Sequence, residues 1–339
     1  MQPKVSVIIP VYNTAPYLRR CLDSVCNQTL RDIEIVCVND GSTDNSLDIL
    51  NEYAARDRRS KVIDFPENKG VSAARNAGID AAEGECIGFV DSDDAVEPDF
   101  YAGLYRQAIK TGAEIVKGEV RVAGYDGIAR NLHISRETRL SRVRFSGFST
   151  AIYKNELVKN NKIIFPAGIV CGEDLVFSLC TALKAKETET VDGIFYIQYR
   201  RKDSANSETY DMQKINSIIE SYYIMMREIN LDRDKINDAE YNDFLFSAVH
   251  AVFELPRKND SAECGRLCAK TCIELYRKYL RGNYHNEILQ AQIPFCFCFE
   301  YLDGDDLEGL TDYLLKGKFQ ADQTMALLRR RVKISSGLL

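Results

Sequence analysis

Between Val5 and Val122 short, largely apolar runs alternate with amphipathic stretches, and nothing else in the chain restricts its fold as strongly. Val5–Pro10, Ile33–Val38, Val62–Phe65, Cys86–Val90 and Ile115–Val122 have the length and β-branched content of strands covered on both faces. Helical patterns separate them. Pro16 opens one with Leu18, Cys21, Leu22 and Val25 on one side, and Ser46–Arg58 carries Leu47, Leu50 and Tyr53. Gly70–Ala82 is alanine-rich, and Pro98–Thr111 follows the fourth run. Such alternation predicts an α/β fold: a Rossmann-like, mostly parallel central sheet, with right-handed crossovers placing helices on both faces.

The periodicity weakens from Gly124 to Ile164, where loops, short strands and one helix near Lys154–Asn160 are expected. A helix over Leu175–Leu183 and a strand over Gly193–Tyr199 follow. Beyond Ser207 the pattern turns helical, with Ile215, Ile218, Ile219 and Tyr222 on one face and further amphipathic stretches at Phe244–Phe253, Cys264–Leu280 and Leu307–Leu315. At 339 residues the chain exceeds the usual size of one domain. We therefore expect a sheet domain over 1–206 and a helical C-terminal domain over 207–339, the latter for acceptor docking or self-association as a homo-oligomer.

Several functional classes are excluded at this stage. The longest apolar runs fall well short of the roughly 20 residues that span a bilayer, and Met1–Lys4 leads straight into a β-branched run without a signal-peptide h-region. A cytoplasmic protein is expected. A net charge of −6 argues against a nucleic-acid partner. The eleven cysteines show no paired CxxC motifs and read as reduced thiols, with Cys264, Cys268 and Cys272 forming an apolar helix stripe. His133, His250 and His285 have no ligand spacing.

In open α/β sheets ligands bind at the carboxyl ends of the strands. Here those ends read Pro10-Val11-Tyr12-Asn13, Asn39-Asp40-Gly41-Ser42-Thr43-Asp44 and Asp91-Ser92-Asp93-Asp94. The first strand is followed by neither GxGxxG nor a Walker sequence, so a diphosphate would lack a glycine cradle. A hard divalent cation on clustered carboxylates can neutralise it instead, and Asp91, Asp93 and Asp94 fit that need. An acidic turn alone is more commonly a solvated turn; the apolar strand before it shifts the balance toward a site.

These segments, with Gly70-Val71-Ser72-Ala73-Ala74-Arg75-Asn76-Ala77-Gly78, resemble family 2 of the inverting nucleotide-sugar glycosyltransferases, which have the GT-A fold. The resemblance extends more loosely to Gly172-Glu173-Asp174 with Phe177 and to Tyr199-Arg200 with Ser204, covering the chain to about residue 205. It implies that Pro10, Tyr12, Asn13 and Asp40 surround the nucleotide base, usually uracil, with Tyr12 stacked on it. It implies that Arg75 and Asn76 lie against the nucleotide diphosphate. In Asp91-Ser92-Asp93, the family's DXD motif, Asp91 approaches the ribose and Asp93 binds Mn2+ or Mg2+ together with the diphosphate. Asp174 would be the general base that deprotonates the acceptor hydroxyl, with Glu173 beside it or serving as the base itself; the pair also suits the acidic first turn of a helix. Arg200, in the cluster Arg200-Arg201-Lys202, could fold over the diphosphate, or be a solvated surface cation.

The implied activity is inverting transfer of a sugar from a nucleotide-diphosphate donor, a UDP-sugar first of all, to a glycan or lipid-linked acceptor of a bacterial surface polysaccharide, lipopolysaccharide or other glycoconjugate. Where many members carry tryptophan and lysine before the base, this chain has Phe145-Ser146-Gly147-Phe148-Ser149-Thr150 and no tryptophan, so the acceptor stays open. The basic tail Leu327–Lys333 could touch anionic lipid at the inner face of the membrane or be a solvated helix end. Two other readings are weighed: a nucleotidyltransferase, which normally opens with a glycine-rich basic loop that Asn13-Thr14-Ala15-Pro16 does not supply, and a non-catalytic glycan-binding or scaffold subunit.

Overall fold

The computed structural model describes residues 2–123, 129–132, 147–200, 209–280 and 306–316. They belong to two compact units, Met1–Ala205 with Arg227–Lys235, and Asn206–Met226 with Ile236–Leu339. The first runs β1 (Val5–Val11), α1 (Ala15–Cys26), β2 (Ile33–Asn39), α2 (Ser46–Arg56), β3 (Ser60–Asp64), α3 (Val71–Ala81), β4 (Cys86–Phe89), β5 (Ala95–Val96), α4 (Phe100–Thr111) and β6 (Ile115–Ala123). Then come β7 (Ala129–Leu132), β8 (Ala151–Lys154), α5 (Asn155–Asn160), α6 (Glu173–Lys184) and β9 (Thr188–Tyr199).

Every residue of β1 is buried, as expected of a strand whose side chains enter alternate layers. Val5, Val7, Ile9 and Val11 pack with Leu18, Leu22 and Val25 of α1, Leu50 of α2 and Leu104 of α4. Ile8 enters the opposite layer with Ala74 and Ile79 of α3, Leu157 of α5 and Phe177 of α6. Helices thus cover both faces. Close approach of α3 to β1 depends on Gly78, where a Cβ would sit 2.3 Å from Ile8 Cγ2.

The strand order is β3-β2-β1-β4-β8-β6-β9-β5, with β7 on β6. Pairing is parallel through β3-β2-β1-β4 and between β6 and β9, while β8 lies antiparallel between β4 and β6. The chain moves outward from β1 to β3, then returns to β4 on the other side of β1. That reversal makes a switch point at the carboxyl edge between β1 and β4, where an open α/β sheet places its ligand. Because β8 is antiparallel to β4, the turn Phe148–Thr150 that leads into it stands at the same edge.

The second unit holds α7 (Met212–Leu231) up to Met226, α8 (Asp238–Glu254), α9 (Ala262–Leu275) and α10 (Leu307–Lys316). Side chains of Asn237 and Ser261 accept from the Glu240 and Cys264 amides and so cap α8 and α9. Cys264, Cys268 and Cys272 are buried along one face of α9, as their spacing implies. No helix among the described residues is long and apolar enough to cross a membrane. The basic tail, Arg201, Lys202, Ser204, His133 and His285 lie outside the described residues, as does the side chain of His250.

Candidate active site

Three strand ends converge at the switch point. Asp40 N–H donates to the Val11 carbonyl (2.8 Å), joining the ends of β2 and β1. Pro10 is buried within β1, whereas Tyr12, just beyond it, is 47% exposed, unusual for a large ring. Asn13 adopts φ 51°, a left-handed conformation that asparagine tolerates. Its Oδ1 accepts from the amides of Thr43 (2.8 Å) and Asp44 (3.3 Å), so the side chain organises the loop after β2. That loop turns at Gly41 (φ 66°), where a Cβ would meet the Glu67 backbone at 2.4 Å. Asp40 is buried and its Oδ1 accepts from the Lys69 amide (2.7 Å).

The acidic turn after β4 closes through Asp94 N–H to the Asp91 carbonyl (2.9 Å). Thr14 and Ser92 share a hydroxyl hydrogen bond (3.0 Å) that ties it to the start of α1. Arg20 donates to the Asp93 carbonyl (2.6 Å) with its guanidinium 3.4 Å above the Tyr199 ring. Asp94 is the buried corner: Tyr196 Oη donates to Oδ2 (2.8 Å) and the Tyr199 amide to Oδ1 (2.9 Å). Burial, followed by the charges of Asp91 and Asp93, pushes its carboxyl up to about 8 despite those bonds. Asp91 and Asp93, half-buried, carry the hard oxygen donors that suit a divalent cation. Among the described residues no group of three or more ligating side chains stands together. A cation here would therefore need oxygens from a ligand as well as from the protein.

Arg75 of α3 is buried, and its guanidinium spans two carboxylates: Nη2 to Asp91 Oδ1 at 3.0 Å and Nη1 to Glu173 Oε1 at 2.7 Å. It rests on the rings of Phe148 (4.4 Å) and Phe165 (5.1 Å). Those rings belong to a cluster with Phe89 and Phe177, in which Phe165 and Phe177 stack at 4.2 Å. Asp174 follows Glu173 in the first turn of α6 after Gly172, which takes φ 96°. Burial, then the Glu173 charge, raises the Asp174 carboxyl to about 6, with Arg75 pulling the other way. One arginine thus links the acidic turn to the Glu173–Asp174 pair, 98 positions from Arg75 to Glu173 in sequence.

Both polar atoms of the Asn76 amide are engaged by the Phe165 backbone, at 2.9 and 2.8 Å. Arg200 is exposed at the end of β9, its amide donating to the Ala123 carbonyl (3.1 Å). The structure therefore brings together Pro10, Tyr12, Asn13 and Asp40 on one side, and Arg75, Asp91, Ser92, Asp93, Glu173 and Asp174 on the other. Sequence reasoning missed Tyr196, Thr14, Phe165 and Arg20, and it named Phe148 only as part of the segment before the base. The strand expected over Gly193–Tyr199 was the available hint to Tyr196.

A parallel half-sheet with an acidic turn at its switch point, flanked by an antiparallel strand and lacking a glycine cradle, is the GT-A layout of nucleotide-sugar transferases. Residues 6–168 match the model of glycosyl transferase family 2. The chain is 35% identical over 326 residues to a poly(ribitol-phosphate) beta-glucosyltransferase of Bacillus spizizenii, covering 91% of this chain and 50% of that one. It is 31% identical over 242 residues to the glycosyltransferase GlyG of Streptococcus pneumoniae, covering 66% of this chain and 79% of that one. The crystal structure of S. aureus TarS 1–349 in complex with UDP-GlcNAc superposes with a TM-score of 0.73 at 22% identity, over 94% of this chain and 92% of that one. This chain belongs to glycosyl transferase family 2. It spans about half the length of the Bacillus spizizenii relative.

Proposed function

We propose that the chain is an inverting, metal-dependent glycosyltransferase that moves a sugar from a UDP-sugar to an acceptor hydroxyl, with Asp174 as the general base. The observation that carries this reading is the Arg75 bridge, which joins buried Glu173 to Asp91 of the acidic turn; next to Glu173, burial and the Glu173 charge raise the Asp174 carboxyl to about 6 against the pull of Arg75. A base is most effective when its pKa lies near the working pH, and this one is ionised at neutral pH yet far more basic than an ordinary aspartate. Glu173, ion-paired to Arg75, would orient the acceptor; Asp174 would take the hydroxyl proton as its oxygen attacks the anomeric carbon opposite the leaving diphosphate. A single displacement of that kind inverts the configuration.

On the donor side the exposed Tyr12 ring would stack on the uracil, with Pro10 and Asp40 around the base and Asn13 shaping the loop beneath. Asp93 and Asp91, with Ser92 between them, would hold Mn2+ or Mg2+ together with the diphosphate. The cation supplies charge that stabilises the leaving nucleotide. Arg200 would close over the diphosphate. Because Arg75 already holds two carboxylates, its role is to order the site, and its phosphate contact would be secondary. The Bacillus spizizenii relative is named for poly(ribitol-phosphate), so a polyol-phosphate or glycan hydroxyl of a surface polymer is the acceptor class proposed here. The helical unit would dock that acceptor or pair two copies, and peripheral contact with the membrane would bring the enzyme to a lipid-linked acceptor. The test is Asp93→Ala: metal-dependent thermal stabilisation by UDP and sugar transfer should both disappear while the melting transition persists. A fully active variant would refute the assignment.

A further inference from the structure

Asn76 follows Arg75 on α3, and its amide makes a reciprocal pair of bonds with one distant residue: Nδ2 donates to the Phe165 carbonyl and Oδ1 accepts the Phe165 amide. A neighbouring β-strand would offer a backbone the same donor and acceptor. The residue so gripped is not peripheral. Its ring is buried, stacks on Phe177 of α6 with an interplanar angle of 1°, and lies against the Arg75 guanidinium. From Phe165 the chain runs through two glycines with positive φ, Gly168 (78°) and Gly172 (96°), directly into Glu173 and Asp174. Glycine turns permit many alternative conformations, so the segment needs an anchor if the base is to be held within a fraction of an ångström.

We propose that Asn76 is a positioning residue for sugar transfer: it fixes the Phe165 backbone, so that the ring braces Arg75 and the segment that follows presents Glu173 and Asp174 to the acceptor. This inference rests on the function proposed above. It replaces direct contact with the donor, the role that the family resemblance implies for Asn76, with action through the base side of the site. The two roles differ in what they do to binding and turnover. Loss of a donor contact would weaken UDP binding; loss of an anchor for the base leaves UDP in place and slows the chemistry, where a misplacement of about 1 Å costs on the order of 10²-fold.

The experiment uses the full chain with UDP and manganese as probe, and sugar transfer as readout. Asn76→Ala should bind UDP within roughly 2-fold of wild type and lose about 10- to 100-fold in kcat. The acid limb of its pH profile should shift as well, because the surroundings of Asp174 change; a purely structural role would not move that limb. Asn76→Asp keeps the acceptor for the Phe165 amide and loses the donor, so it should fall between the two, and it decides the matter if the alanine variant does not fold. Unchanged kcat, or a loss confined to UDP affinity, overturns the proposal. Should the wild type transfer no sugar, the proposed function fails, and the anchor is judged by hydrogen exchange. The Phe165 amide should exchange at least about 10-fold faster in Asn76→Ala than in wild type, and equal rates overturn the anchor too.

Discussion

Asp174→Asn separates a catalytic carboxylate from one that merely caps a helix, and it does so in stability as well as in rate. The substitution preserves size and the Oδ1 that accepts from the Leu175 amide at 2.9 Å. It removes a charge that folding makes costly, since burial and Glu173 lift the carboxyl from 3.8 to about 6. A raised carboxylate pKa means the folded state holds the proton more tightly than the unfolded chain. Below about pH 4 both states are protonated and there is no penalty; above about pH 6 both are ionised and the fold bears all of it. Two pKa units correspond to roughly 3 kcal/mol, so Asp174→Asn should gain on the order of 1–3 kcal/mol near neutral pH, a gain that fades as pH falls through that window. Urea denaturation at both ends of the window measures it. Transfer should fall by at least ~10²-fold with UDP binding retained. A helix-capping role forecasts the reverse: a loss of about 0.3–1 kcal/mol and normal turnover. A variant that is less stable near neutral pH, or that still transfers sugar at the wild-type rate, would refute the reasoning.

Arg75→Met should cost about 3–5 kcal/mol in the same assay, because it leaves Glu173 buried without its countercharge, and a loss below about 1 kcal/mol would show the bridge to be unimportant. The acid limb of any residual activity should move upward, since Arg75 holds the Asp174 pKa down. Asp94→Asn keeps the bond from the Tyr199 amide and removes a carboxyl that burial and two acidic neighbours push up to about 8. Its stability relative to wild type should therefore rise as pH climbs from about 4 to 8, and thermal melting across that range should reveal no such trend if Asp94 is instead held ionised by a cation.

Local pattern made much of this molecule legible. Apart from β5, the strands and helices from Val5 to Ala123 follow from apolar runs and helical spacing, and the acidic turn stood out because it followed one of those runs. The order of the sheet was not legible. β8 inserts antiparallel between β4 and β6 from a region without periodicity, and β5 is a two-residue pairing with β9; both depend on contacts far apart in sequence. The same limit applies to the site. Helical spacing could place Arg75 on α3, but not show that Glu173 and Asp91 would face it, or that Asn76 would meet the Phe165 backbone. Tyr196 belongs to a strand whose pattern signals burial, with nothing to disclose that its hydroxyl holds Asp94.

The central claim, inverting transfer from a UDP-sugar at a cation held by Asp91 and Asp93, is tested most directly by following the anomeric proton of the transferred sugar by NMR. The reaction would be run across a panel of UDP-sugars with manganese and again with a chelator. The account predicts that one donor is consumed in the presence of the cation alone, and that the new linkage has the anomeric configuration opposite to the donor's. Transfer at the same rate in the chelator, or a product that retains the donor's configuration, would contradict it.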